Sequence, residues 1–88
     1  MIDPDAVREL VGSLLRQKDD ASPFADSDSL VLSGRLDSID VLQIVVFLEG
    51  RYSIDFAEQG FDQEDFDSIA RILTLIELRA PTADASRK

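Results

Sequence analysis

The chain has 88 residues and a formal net charge of −9, with 18 acidic residues against 9 basic ones. This length suits one domain with one core, and the negative charge disfavours nucleic-acid phosphates as a partner. The chain contains no cysteine and no histidine. Their absence excludes disulfides, thiolate catalysis and the commonest zinc ligands, and it removes the usual general base near neutral pH. We therefore expect a small protein that is not an enzyme, has no metal site and meets partners with basic docking surfaces.

The sequence lacks the features of exported and membrane-spanning proteins. Its first residues include neither a basic region nor an apolar stretch of the kind found in signal peptides. The longest apolar run, residues 44–48, is too short to cross a bilayer. We expect a cytoplasmic protein without a membrane span, and we expect it to be a monomer.

The first predicted helix begins after Asp3, which is a suitable N-cap, and has Pro4 at its first position. We expect it to fade near Lys18. Apolar residues recur along it at helical spacing and predict one buried stripe: Val7, Leu10, Val11, Leu14 and Leu15.

Residues 19–35 are rich in Asp, Ser, Ala and Pro and predict a loop. Loops of this length are uncommon in compact domains, and they tend to be functional or held by their own side chains. Gly34 is a breaker just before the next element. The apolar residues that we expect to anchor the loop are Phe24, Leu30, Val31 and Leu32.

The second predicted helix begins at Asp37 or Ser38 and ends near Gly50. A helix that is apolar on most sides is either buried on most sides or meets a partner, so we expect this to be the central helix. Its apolar residues make more than one stripe: Ile39, Val41, Leu42, Ile44, Val45, Val46, Phe47 and Leu48.

The remainder of the chain predicts short elements and one further long helix. Tyr52, Ile54 and Phe56 alternate but have no second strand to pair with, so residues 51–59 are predicted to be extended loop with buried anchors. Residues 61–66 predict one helical turn or a short helix. Asp67 and Ser68 are then expected to cap a last helix, with a core stripe of Ile69, Ile72, Leu73 and Ile76 and an end at Pro81. Together these elements predict an all-α fold, an irregular four-helix bundle with three long helices and one short one.

Ser38 opens the apolar second helix and is the residue of most chemical interest. As a nucleophile it would need a base, but the nearest lysine in sequence is Lys18, and the neighbouring Asp37 and Asp40 do not support an oxyanion. As an acceptor for a modifying enzyme it is better placed, because a phosphodiester there meets unpaired backbone N–H groups and the positive end of the helix dipole. The simpler alternative is that Asp37 or Ser38 is only an N-cap.

The Leu-Asp-Ser-Ile segment at residues 36–39 resembles the Asp-Ser-Leu attachment motif of acyl and peptidyl carrier proteins, and helix order and the long first loop extend the resemblance over residues 7–78. It implies a carrier domain of acyl-carrier-protein type at residues 1–80; because Pro81 ends the last predicted helix, we expect residues 81–88 to form a flexible tail. It also implies a 4′-phosphopantetheine arm, taken from coenzyme A, on Ser38. The arm would hold an acyl intermediate as a thioester for enzymes of fatty acid, polyketide or related biosynthesis. The implied partners are a phosphopantetheinyl transferase, a loading ligase or synthase, and a downstream transferase.

The resemblance also implies roles for the residues around Ser38. Asp37 corresponds to the aspartate that helps position the transferase and its metal. The second helix corresponds to the face that partner enzymes read, and here its apolar part would be Ile39, Leu42 and Val46, with Asp40 and Glu49 as a charged rim. The alternative is that the apolar residues pack inward, which we expect for at least one of the three.

Several positions depart from the family pattern and keep other functions open. Ile39 replaces the usual leucine, Gly34 lies one residue further from the serine than is common, and Gln43 stands where an acidic docking residue is frequent. Residues 34–38, 61–62 and 66–68 are also similar to the D-alanyl carrier proteins of teichoic acid modification, so an aminoacyl carrier is the alternative. An alternative from another class is an acidic helical interaction module that binds a basic partner and is never modified, which explains the charge and the apolar second helix equally well.

Overall fold

The computed structural model describes residues 2–80, and all regular secondary structure in that range is helical. The predicted all-α class is confirmed, whereas the predicted tail at residues 81–88 lies outside the described residues. The helices are α1 (Pro4–Arg16), α2 (Ser38–Tyr52), α3 (Phe56–Gln59), a 3-10 helix (Gln63–Phe66) and α4 (Ile69–Arg79). Helix α1 packs against α2 and α4, and the 3-10 helix also packs against α2 and α4. Within residues 2–80, no helix is both long enough and apolar enough to cross a membrane.

One cluster of buried apolar side chains lies between α1, α2 and α4. Two residues of the predicted stripes, Leu10 and Leu73, are only half-buried at its margin. The cluster is closed by Leu30 and Leu36 from the loop and by Phe66 from the 3-10 helix, all at most 1% exposed. The other members that are at most 2% exposed are Val7, Val11, Leu14, Leu15, Val41, Ile44, Leu48, Ile69, Ile72 and Ile76.

Two helices begin with the caps that the sequence predicts. The carboxylate of Asp3 accepts hydrogen bonds from the backbone N–H groups of Asp5 and Ala6, at 3.1 and 3.4 Å. The hydroxyl of Ser68 accepts one from the N–H of Arg71 at 3.1 Å. Each contact satisfies an amide of the first helical turn, which has no acceptor inside its own helix.

The segment after α2 differs from the expected extended loop. Tyr52 is the last residue of α2 and Phe56 is the first of α3, so only residues 53–55 lie between the two helices, and Ser53 among them is left-handed, with φ 58°. The reason is a local cap, because the Asp55 carboxylate accepts a hydrogen bond from the N–H of Glu58 at 3.0 Å and starts a helical turn there. Ile54 and Phe56 are buried, as the alternating pattern predicts.

The long loop is joined to the start of α4 by Asp67. Oδ1 of Asp67 lies 3.2, 2.9 and 2.8 Å from the backbone nitrogens of Leu30, Val31 and Leu32, and 2.9 Å from the Ser29 hydroxyl. Burial raises the pKa of Asp67, but the hydrogen bonds, led by that from the Leu32 N–H, outweigh burial and hold the pKa below its ordinary value. Asp67 therefore holds the loop, whereas Ser68 alone caps α4.

The turn around Asp67 also decides which loop residues are buried. Leu30 is fully buried, and Phe24 and Val31 are half-buried against the core, as expected for anchors. Leu32 is 70% exposed, so its predicted role as an anchor is wrong. Successive N–H groups from residues 30–32 converge on one carboxylate, and this curvature leaves the Leu32 side chain on the outer side of the turn.

Two arginine–aspartate pairs complete the fixing of the loop. Arg8 of α1 donates two hydrogen bonds to Asp26, at 2.9 and 2.7 Å. Arg35 donates two to Asp20, at 2.9 and 3.2 Å. Both carboxyl pKa values lie below the ordinary range because of these arginines. The middle of the loop is thus tied to α1 at Asp26, and its two ends are joined by the Asp20–Arg35 pair, both in a geometry that arginine favours.

Candidate functional site

Ser38 is the first residue of α2, and it is exposed. The helix is capped by its neighbours in a reciprocal box: Asp37 Oδ1 accepts from the N–H of Asp40 at 2.9 Å, and Asp40 Oδ2 accepts from the N–H of Asp37 at 3.1 Å. Asp37 is therefore the N-cap and Ser38 is not. The hydroxyl of Ser38 is left free of any capping role at the head of a long helix.

Lys18, which follows α1, lies against both capping carboxylates. Its Nζ is 2.5 Å from Asp40 Oδ2 and 3.2 Å from Asp37 Oδ2. The contact with Asp40, followed by that with Asp37, raises the pKa of Lys18. The pKa of Asp37 is lowered, first by the N–H of Asp40 and then by Lys18. At neutral pH the head of α2 thus carries two carboxylates and one ammonium group in contact.

Asp40 does not form the exposed charged rim that the sequence led us to expect. The residue is only 5% exposed, because its carboxylate is used by the capping box and by Lys18. The other predicted rim residue, Glu49, is half-buried, whereas Asp37, which the sequence assigned to positioning the transferase, is exposed. The expectation that Asp40 is a surface charge is therefore wrong, and its contacts are structural.

Gln63, at the start of the 3-10 helix, contacts Ser38 directly. Its side-chain Nε2 donates a hydrogen bond to Ser38 Oγ at 3.0 Å. The contact also brings the acidic neighbours of Gln63 in the chain, Asp62 and Glu64, to the same end of α2. Sequence reasoning missed Gln63, because nothing in the local pattern links it to a serine on another element.

Helix α2 presents an exposed apolar stripe that begins beside Ser38. Ile39, Leu42 and Val46 are 66%, 54% and 65% exposed, and we call these three residues the outer stripe of α2. The expectation that at least one of them packs inward is wrong. The opposite side of the helix supplies the core instead, through Val41, Ile44, Val45 and Leu48.

The position of the outer stripe relative to Ser38 follows from helix geometry. Leu42 lies one turn beyond Ser38 on the same side, and Val46 lies one turn further, about 12 Å along the axis from Ser38. Exposed apolar side chains in such a row are typical of contact surfaces more than of free surface. Ser38 and the stripe therefore form one continuous face of α2.

The chemistry available to Ser38 is that of an acceptor. Within residues 2–80, the side chain that hydrogen-bonds to its hydroxyl is the Gln63 carboxamide, which cannot accept a proton at ordinary pH. The nearby Lys18 is engaged by two carboxylates and carries a raised pKa, so it is held in its protonated form. Among residues 2–80, no side chain that could act as a base is hydrogen-bonded to the Ser38 hydroxyl.

Comparisons of the chain with models of known protein families, with curated protein sequences and with solved structures found no match. What the site does is therefore inferred from its own residues and geometry.

Proposed function

We propose that this chain is a carrier protein that holds an acyl intermediate as a thioester on a 4′-phosphopantetheine arm attached to Ser38. In this proposal the helices form the irregular four-helix bundle of the acyl carrier type, and the protein is a substrate and partner of enzymes with no catalysis of its own. An aminoacyl group, such as a D-alanyl or peptidyl group, is the alternative cargo.

The observation that carries the proposal is an exposed serine hydroxyl that the cap of α2 does not use. Asp37 and Asp40 cap α2 without Ser38, so the hydroxyl can change chemically while the helix start stays intact. The N–H groups of the first helical turn and the helix dipole favour an anion at this place. Lys18 adds a positive charge beside the two carboxylates and reduces their repulsion of a phosphodiester.

The proposed modification is a phosphoryl transfer from coenzyme A. Ser38 Oγ forms a bond to the phosphorus that carries the pantetheine, and the bond from that phosphorus to the 3′-phosphoadenosine 5′-phosphate leaving group breaks. The hydroxyl proton passes to a base of the phosphopantetheinyl transferase, since within residues 2–80 the side chain hydrogen-bonded to Ser38 is an amide. The thiol at the end of the arm then takes the acyl group as a thioester, delivered by a loading ligase or synthase, and passes it to a downstream transferase.

The outer stripe of α2 supports the docking part of the proposal. Its exposed side chains begin beside Ser38, so an enzyme that covers them also reaches the arm. Asp37 and Glu49 supply acidic groups along the same helix, in a chain of net charge −9. A partner with an apolar patch bordered by basic residues complements this face.

The test is modification of the purified protein by coenzyme A and a broad-specificity phosphopantetheinyl transferase. The intact mass should rise by one phosphopantetheine. Because the chain has no cysteine, a thiol reagent should find no thiol before the reaction and one per molecule after it. The variant Ser38→Ala should gain neither mass nor thiol while keeping its helical circular dichroism, and Ser27→Ala, an exposed loop serine, should behave as the wild type.

The same experiment separates the carrier from an unmodified interaction module. A module would use the outer stripe to bind a basic partner and would leave Ser38 unchanged. If the wild-type protein gains no mass with an active transferase, or if Ser38→Ala still gains it, the carrier proposal is wrong at this residue. If Ser38 is modified and no other residue is, the chain is not an interaction module that works without modification.

A further inference from the structure

We propose that Gln63 is a positioning residue for the modification of Ser38, and that its side-chain amide holds the Ser38 hydroxyl before the reaction and a phosphodiester oxygen after it. The inference rests on the proposed function, which names the reaction but assigns no role to the 3-10 helix. The geometry that suggests it is the 3.0 Å hydrogen bond from Gln63 Nε2 to Ser38 Oγ.

Gln63 is carried by a segment that is fixed to the core on both sides. Phe66, at the end of the 3-10 helix, is fully buried and packs its ring edge-on against Phe61, with centroids 5.5 Å apart. Phe56 packs against both rings, at 5.8 and 6.0 Å. The Arg79 guanidinium of α4 donates a hydrogen bond to the carbonyl of Gly60. A side chain on such a support can hold a partner with a small entropic cost.

The Ser38 hydroxyl can accept the hydrogen bond from Gln63 and still attack the phosphorus of coenzyme A. A serine oxygen has two acceptor sites and one proton, and Gln63 uses one acceptor site. The proton stays available to a base on the transferase, and the second lone pair stays available for the phosphorus. Gln63 can therefore restrict the rotation of the Ser38 side chain without blocking the reaction.

The modified residue offers the same amide a better acceptor. Once Oγ is esterified, the non-bridging phosphate oxygens beside it carry the negative charge, and hydrogen bonds to charged acceptors are stronger than those to neutral ones. When the hydrogen bond from the Gln63 amide moves from Oγ to one of these oxygens, it keeps the first atoms of the arm between α2 and the 3-10 helix.

Gln63 is an uncharged amide among acidic residues, so substitutions at this position can separate hydrogen-bond donation from charge. Gln63 stands in the run Asp62-Gln63-Glu64-Asp65, where it is the one residue able to donate from its side chain. A carboxylate at this position would lack the donor and would repel the diester. If hydrogen-bond donation by residue 63 matters, a change to Glu slows modification and a change to Lys does not. If only charge matters and the transferase surface is basic, the change to Glu speeds modification and the change to Lys slows it.

The experiment compares modification kinetics of Gln63→Ala, Gln63→Glu and Gln63→Lys with the wild type, using coenzyme A and the same transferase. The donor hypothesis predicts a kcat lower by roughly threefold to tenfold for Gln63→Ala, with a similar KM for the protein, and a larger loss for Gln63→Glu. Gln63→Lys restores a donor of similar reach and should recover most of the rate. The same three changes at Gln59, an exposed residue of α3, measure the effect of charge alone.

The outcomes are distinct. If the wild type is modified and the Gln63 variants follow the charge order seen at Gln59, with Glu fastest and Lys slowest, the positioning role is wrong while the carrier function stands. Equal rates for all variants also overturn it. If the wild type is not modified at all, both proposals fail. Rates that fall in the order wild type, Lys, Ala, Glu at position 63 support the proposal. It is supported further if the NMR resonance of the Gln63 side-chain amide shifts when the wild type is modified and that of Gln59 does not.

Discussion

Lys18 Nζ lies 2.5 Å from Asp40 Oδ2, and this contact joins the end of α1 to the head of α2 directly beside Ser38. The same lysine also donates to the carbonyl of Arg35 at 3.3 Å, in the last part of the long loop. One side chain therefore connects three elements at the candidate site. Its main partner, Asp40, is buried, so the contact is part of the fold that presents the serine.

Removal of the Asp40 carboxylate should destabilise the protein. Asp40→Ala leaves the Asp37 N–H without its capping partner and takes from Lys18 its closer carboxylate, so we expect a loss of about 1–3 kcal/mol in the free energy of unfolding. Asp62→Ala, at an exposed aspartate without a capping hydrogen bond, should cost less than about 0.5 kcal/mol. Urea unfolding measures both, and equal stability of the two variants would show that Asp40 acts only as a surface charge.

A charge placed in the outer stripe of α2 should slow modification without unfolding the protein. Leu42→Asp puts a carboxylate into a face that we expect to contact the transferase, while the buried side of α2 is unchanged. We expect the KM for the protein to rise by roughly tenfold or more, since interface centres tolerate charges poorly. Leu78→Asp, on α4, is the matched control and should react like the wild type. Comparable kinetics for both variants would show that the outer stripe is not part of the surface that contacts the transferase.

Asp67 should make stability depend on acidity. Its pKa is lower in the folded protein than in the unfolded chain, so its contribution is fully present above the ordinary aspartate pKa of about 4 and is lost as pH falls through the folded pKa. Asp67→Asn cannot titrate and should give an unfolding free energy that falls less steeply below about pH 4. The unfolding free energy of Asp67→Asn should still fall with pH to some extent, because Asp20 and Asp26 also have lowered pKa values.

Two measurements check this prediction. Urea unfolding at a series of pH values gives the slope for each protein, and a carbon NMR titration follows the Asp67 carboxyl group itself. Ser29→Ala is the control, because it removes one hydrogen bond to Asp67 and should move that carboxyl pKa upward, toward its ordinary value. Identical slopes for the wild type and Asp67→Asn would contradict the assignment.

Truncation of core residues should test the packing between α1 and α4. Leu14 is 2% exposed and Ile72 is fully buried, so Leu14→Ala and Ile72→Ala should each cost roughly 2–5 kcal/mol. A loss of this size is a large part of the total stability of a small domain and is expected to unfold part of the population. Leu78→Ala removes the same atoms from an exposed position and should change little. Thermal unfolding followed by circular dichroism distinguishes the two classes of variant.

The amino-acid sequence by itself determined the features that depend on near neighbours. Asp3 and Ser68 cap helices because each side chain reaches an amide two or three residues ahead, and the stripe of α1 is a matter of spacing along one helix. The apolar excess of α2 was equally visible, as was the exceptional position of Ser38 after a long loop. These signals are local, so they are present in the residue order before any packing occurs.

Only the tertiary structure decided which side of α2 is buried and which polar groups meet. The pattern of α2 allows several faces to turn inward, and the positions of α1, α4 and the 3-10 helix select Ile44 and Leu48 for the core and leave Leu42 outside. Asp40 meets Lys18, Asp67 meets the loop and Ser38 meets Gln63 across different elements, and no periodicity of the sequence predicts such pairings. Their roles follow from distances that exist only once the helices have packed.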